Sequence, residues 1–192
     1  MKDLIEIRWH GRGGQGAKTA ALLLADAALA SGKHIQAFPE YGPERMGAPV
    51  ASFDRISSSP IRLHSGVTNP DIVIVLDPTL MDTVDVTEGM SSGGTLLVNI
   101  DKSPAEVKNL FGIAADIKVC TVDASGISVD TIKRDIPNTP MLGALVKATG
   151  ILNFNEMIAD TRKKLEKKFK TKPEVIEGNL KAIERAYNEV KI

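Results

Sequence analysis

A chain of 192 residues, 43% of them hydrophobic, has the composition of one globular domain large enough to bury a core of its own. Lysine and arginine match aspartate and glutamate at 24 each, a formal net charge of +0, which argues against the broad positive field of a nucleic-acid-binding protein. The single cysteine, Cys120, excludes an internal disulfide framework and any cysteine-rich iron–sulfur or zinc site within this chain. No apolar run is long enough to span a membrane, and the opening MKDLIEIRWH carries acids early, unlike a secretory signal, so the expected compartment is cytoplasmic.

In chain order, residues 5–9 read as a first strand and residues 17–30, rich in alanine and leucine, as a helix stopped by Ser31-Gly32. A second strand is predicted over 34–38. VASFDRI at 50–56 alternates apolar and polar residues, which predicts a half-exposed strand at an antiparallel edge. The near-continuous apolar runs at 71–76, 95–100 and 118–122 predict strands covered on both faces, with helical or turn segments at 79–90 and 103–111 between them. Cys120 falls in the last of these runs and reads as a small buried hydrophobe. Beyond Asp123 the pattern is helical, over 128–134, 141–149, 155–169 and 173–190. The expected fold is α/β: a three-layer α/β/α sandwich around a mostly parallel, Rossmann-like sheet, a single domain over 1–192 with a C-terminal helical extension from about 128.

Three motifs carry chemistry. In the first, Gly11, Arg12, Gly13, Gly14, Gln15 and Gly16 lie between the first strand and the first helix. Glycines there let backbone approach a phosphate, and the helix aims its free N–H groups at it. The same glycines also serve a tight turn that binds nothing. The second runs from Phe38 to Pro49, where three prolines and two glycines stiffen a loop bearing Glu40, Tyr41, Glu44 and Arg45. Glu40 stands where a dinucleotide fold places its ribose-binding acid, and Glu44 with Arg45 could equally form a local pair. The third, Asn138-Thr139-Pro140-Met-Leu-Gly143, starts a helix that Asn138 or Thr139 can cap.

Together, and in this order and spacing, these motifs closely resemble the gamma subunit of 2-oxoacid:ferredoxin oxidoreductases. The pyruvate enzyme is the best match and the 2-oxoisovalerate enzyme the next. Met46 stands where the family commonly has a second arginine, which leaves Arg45 as the cation of that loop. The resemblance implies a multi-subunit enzyme that decarboxylates a 2-oxoacid, captures the acyl group on coenzyme A and passes two electrons to ferredoxin. It further implies that thiamine diphosphate, magnesium and the iron–sulfur clusters belong to alpha, beta and delta partner subunits. This chain would bind none of them, carry no catalytic residue and be inactive alone. Its share would be coenzyme A binding and assembly, through Gly11, Arg12, Gly13, Gly14, Gln15, Gly16, Tyr41, Glu44, Arg45, Asn138 and Thr139.

The remaining polar features read more plainly. The basic stretch 162–172 reads as a solvated helix face, with ferredoxin docking or an anchor for coenzyme A phosphates as its functional readings. Asn179 interrupts an apolar stripe and reads as solvated. His10, His34 and His64 lack metal-ligand spacing, and only His10 lies near a motif. Two rival readings stay open: a stand-alone nicotinamide-binding oxidoreductase, which lacks an evident catalytic acid or base, and a purely structural subunit.

Overall fold

The computed structural model describes residues 3–39 and 47–192. Six strands form one sheet in the order β2-β3-β1-β4-β5-β6: β1 (Leu4–Arg12), β2 (His34–Pro39), β3 (Pro49–Ser57), β4 (Ile72–Val75), β5 (Thr95–Asn99) and β6 (Lys118–Val122). β1, β4, β5 and β6 are successive parallel neighbours, whereas β3 runs antiparallel to both β1 and β2. The helices are α1 (Ala17–Ala30), α2 (Pro104–Phe111), α3 (Ala124–Ile132), α4 (Asn138–Thr149), α5 (Phe154–Lys168) and α6 (Pro173–Glu189).

Strand alternation divides the core into two layers of contact. Ile7, Trp9, Ile56, Ile74, Leu97 and Cys120 point to one face, under α1 and α4. Val73, Val75, Leu96, Val98 and Val119 point to the other, where α2 contributes Val107. The result is the α/β sandwich expected, with Cys120 buried in its core, where burial pushes the thiol pKa up. Alanines at 17, 20, 21, 27 and 28 give α1 a thin buried face that rests close on the sheet. α1 ends as expected: Gly32 turns left-handed while the Ser31 and Lys33 N–H groups close on the Ala27 and Ala28 carbonyls.

One strand departs from expectation. β3 is not an edge; it lies between β1 and β2, with residues 53–57 buried. The polar members of VASFDRI do not face water but feed an internal network. Trp9 Nε1 donates to Asp54 Oδ2 at 2.7 Å. On the opposite face Arg55 donates to Glu6, Gln36 and the Gly66 carbonyl. Alternation therefore reported buried hydrogen bonding rather than exposure.

The helical tail is part of the core rather than an appendage. α4 is buried from Asn138 to Val146 between the sheet and α6. Gly143 permits that approach, because a Cβ there would strike the Ile183 carbonyl. Boundaries shift modestly: Asp123 caps α3 four residues earlier than predicted, and α4 begins at Asn138 rather than Met141. The segment predicted over 79–90 holds only a 3₁₀ turn, Pro78–Asp82, followed by turns.

Candidate functional site

The glycine turn sits at the C-terminal end of β1. Gly11 is still in the strand, opposite Val50, and Gly13 extends the pairing by donating to the Ala48 carbonyl at 2.9 Å and accepting from Gly47 N at 3.2 Å. Gly14 and Gly16 both hold positive φ, 99° and 84°. Gly16 is the N-cap of α1 and brings no side chain to cap it. The N–H groups of Ala17, Lys18 and Thr19 therefore have no helical acceptor, and the positive end of the α1 dipole opens beside them.

Arg12 and Gln15 turn away from that opening. Arg12 Nε and Gln15 Nε2 both donate to Asp77 Oδ2 at 2.9 Å, and Arg12 Nη2 donates to Thr79 Oγ1 at 2.8 Å. Gln15 Oε1 accepts from Arg12 N at 2.7 Å. Asp77 also caps the 3₁₀ turn by accepting from Thr79 N. Burial alone would raise the Asp77 pKa, but hydrogen bonds from Thr79, Gln15 and Arg12 outweigh it and hold the carboxyl below its ordinary value. These two expected ligand residues thus clamp the turn to the β4 crossover.

On the other side of Gly16 lies a cleft of about 790 Å³, walled by α1, the α3–α4 connection, α5 and α6. Gly14, Gly16, Asn138 and Thr139 line it together, so the first and third sequence motifs meet here. A Cβ on Gly16 would come within 2.5 Å of Asn138 Nδ2, so only glycine leaves this cradle open. Asn138 is buried and its Oδ1 accepts from Thr139 N at 2.7 Å, while its Nδ2 has no acceptor among the described residues. That Nδ2 is not among the buried unpartnered side-chain atoms, so it lies open at the cleft surface, where an acceptor from outside the chain can reach it. Asn179, expected to be solvated, is only 8% exposed in the same wall. Its Nδ2 donates to the Val175 carbonyl and its Oδ1 accepts nothing among the described residues. The signal that could have found it was the interruption of the Ile176, Leu180, Ile183 stripe.

Helix capping sets this cleft apart. α2, α3 and α5 are capped by the side chains of Ser103, Asp123 and Asn153. α1, α4 and α6 have no such cap, and the N-termini of all three line the cleft. The floor is apolar, with Leu23, Ile136, Leu165, Phe169 and Val175, and among the described residues the rim carries Lys133, Arg134, Lys164, Lys168 and Lys172 with a single acid, Glu174. The basic stretch is largely exposed, as expected of a solvated face, and Lys164, Lys168 and Lys172 of it also border the cleft. A smaller hollow of about 390 Å³ lies between residues 81–87 and 111–113, apart from all three motifs.

Glu40, Tyr41, Glu44, Arg45 and Met46 fall outside the described residues. The described residues on either side of that loop are Pro39, at the end of β2, and Gly47, bonded to Gly13. His10, just before the turn, is mostly buried; burial, then the charge of Arg8, lower its pKa to about 4, so it is neutral at pH 7. Its Nε2 is buried with no partner among the described residues, and His10 is not in the cleft lining. His34 and His64 are exposed, and no cluster of metal-binding side chains occurs among the described residues.

Residues 6–189 match the family described as pyruvate ferredoxin/flavodoxin oxidoreductase. Pyruvate synthase subunit PorC of Thermotoga maritima is 50% identical over 99% of this chain and 96% of its own. The common gamma subunit of the pyruvate/ketoisovalerate oxidoreductases of Thermococcus kodakarensis is 45% identical over 98% of both. The crystal structure of the Thermotoga maritima pyruvate oxidoreductase subunit superposes with a TM-score of 0.84, covering 99% of this chain and 98% of that one, at 48% identity.

Proposed function

Since the chain belongs to the pyruvate ferredoxin/flavodoxin oxidoreductase family, as a gamma subunit of the pyruvate synthase type, we propose that its part in that complex is to bind coenzyme A in the cleft beside Gly16. The observation that carries this reading is the half-paired Asn138 amide facing a glycine cradle at the uncapped N-terminus of α1. An anionic phosphate accepts from the N–H groups of Ala17 to Thr19 and from Asn138 Nδ2, satisfying donors that the fold leaves open. The apolar floor receives a base or the pantetheine arm, as ligand pockets combine an apolar lining with a few fixed polar groups. Arg12, Gln15 and Asp77 shape the turn rather than touch the ligand. Gly11 and Gly13 serve strand pairing, and Tyr41, Glu44 and Arg45, outside the described residues, stay proposed ligand contacts.

The chemistry of 2-oxoacid cleavage and electron transfer belongs, in this reading, to alpha, beta and delta subunits carrying thiamine diphosphate, magnesium and iron–sulfur clusters, with ferredoxin as acceptor. This chain delivers coenzyme A to them. Steady-state kinetics of the assembled oxidoreductase test the assignment. Asn138→Ala raises the KM for coenzyme A by about tenfold, the effect of losing one charge-assisted hydrogen bond, and leaves the KM for the 2-oxoacid within about twofold. An unchanged coenzyme A KM in a fully assembled variant complex refutes it, and tighter binding of NAD than of coenzyme A would favour the nicotinamide reading.

A further inference from the structure

The cleft has a second cationic end, remote in sequence from the glycine turn. Lys168 and Lys172 edge it from the end of α5 and the start of α6, and Arg134 from the α3–α4 connection. Other basic side chains of the helical region hold carboxylates: Arg162 with Glu177, Lys164 with Asp26 and Asp160, Arg185 with Asp130 and Glu189, and Lys191 with Asp101. Arg134, Lys168 and Lys172 hold none among the described residues; Lys168 lies over the Phe169 ring at 5.4 Å to its centroid.

Arg134 is fixed from behind. Ser128, fully buried, donates its single hydroxyl proton to the Arg134 carbonyl, with the Ile136 carbonyl also within reach at 3.1 Å, and accepts from Ile136 N. This pins the backbone that carries the guanidinium, which lowers the entropy lost when a ligand engages it. Lys172 is the N-cap of α6 and supplies no side-chain cap, so the helix start beside it adds to the positive potential. Asn179, 8% exposed, lines the same cleft, its Nδ2 held by the Val175 carbonyl. A single cavity is thus lined both by Gly14 and Gly16 and by Arg134, Lys168 and Lys172, with Glu174 the only carboxylate in its lining among the described residues.

We propose that Arg134, Lys168 and Lys172 form a second phosphate subsite, which selects ligands carrying a phosphate monoester separate from the group held at the glycine turn. This rests on the coenzyme A reading and sharpens it: the 3′-phosphate of the ribose is the second group, and the subsite makes the cleft discriminate against dephosphorylated and nicotinamide dinucleotides. A guanidinium and two ammonium groups meet the doubly charged monoester through charge-assisted hydrogen bonds, while an uncharged 3′-hydroxyl gains little there.

The test is titration calorimetry of the full chain with coenzyme A and with dephospho-coenzyme A, in the wild type, the Lys168→Ala/Lys172→Ala double variant and Arg134→Gln. All three positions lie at the rim, and far-UV circular dichroism verifies the fold. The wild type binds coenzyme A at least about tenfold more tightly than the dephospho form, one charge-assisted contact's worth. In the double variant that ratio falls to about one while the dephospho Kd moves by less than about twofold, and Arg134→Gln shifts it in the same direction. A wild type that binds both ligands equally, or a double variant that keeps the ratio or loses both ligands alike, overturns the second subsite and leaves the coenzyme A reading standing. Binding of neither ligand by the wild type overturns both.

Discussion

Replacing Asp77 with alanine removes the group that joins the glycine turn to the crossover after β4. Four donors lose their acceptor: Arg12 Nε and Gln15 Nε2 at 2.9 Å, Thr79 N at 3.0 Å and Thr79 Oγ1 at 2.6 Å. Loss of the cap alone costs about 1 kcal/mol. The Arg12 pair, with side chains 30% and 14% exposed, adds about 1 kcal/mol after allowance for solvent screening, and the Gln15 bond a comparable amount. A loss of about 2–3 kcal/mol lowers the melting temperature by roughly 5–10 °C in a chain of this size. Because the folded Asp77 pKa lies below its ordinary value of 3.8, its contribution is fully present above that value and disappears as pH falls through the folded pKa. Urea unfolding at pH 7 and at pH 3.5 reads both effects, with the gap between wild type and variant narrowing at the lower pH. A gap below about 0.5 kcal/mol at pH 7, within the range of ordinary surface substitutions, or a gap that widens on acidification, refutes the clamp.

Gly16→Ala forces a side chain into a left-handed backbone and toward Asn138 Nδ2, so both stability and coenzyme A affinity should fall. Gly32→Ala has similar strain but open space and no cleft contact, and in calorimetry should cost stability alone. Asp54 is fully buried with Oδ1 unpartnered among the described residues; burial raises its pKa well above normal, opposed in part by the Trp9 hydrogen bond. The folded state therefore keeps a proton that the unfolded state releases above the usual carboxylate range, and stability declines as pH rises from there. Asp54→Asn keeps an acceptor for Trp9 and should be more stable than wild type at pH 8, the advantage vanishing near pH 4; melts showing the variant weaker at every pH would contradict this.

The sheet was legible because its central strands are continuous apolar runs and its first helix has unambiguous ends at Gly16 and Ser31. β3 was misplaced at an edge because a buried Asp54–Trp9 bond and a buried Arg55 network look, in one dimension, like solvent-facing alternation. The glycine and Asn138 motifs were both visible, but only the fold brings them to one wall. The bonds of Arg12 and Gln15 to Asp77 were not legible, because Asp77 lies more than sixty residues on, a pairing that no local spacing reports. Asn179 was read as solvated for the same reason: the surface opposite it comes from α1 and the α3–α4 connection, whereas Lys163, Lys167, Lys168, Lys170 and Lys172 are exposed as expected.

The central claim, that coenzyme A lies between Gly16 and Asn138, is tested most directly by nitrogen-edited NMR of this 20.6 kDa chain during a coenzyme A titration. The account predicts that the largest saturable shifts fall on the backbone amides of Gly16 to Thr19 and on the side-chain amides of Asn138 and Asn179. Shifts confined to residues 81–87 and 111–113, or none at saturating coenzyme A, would contradict it.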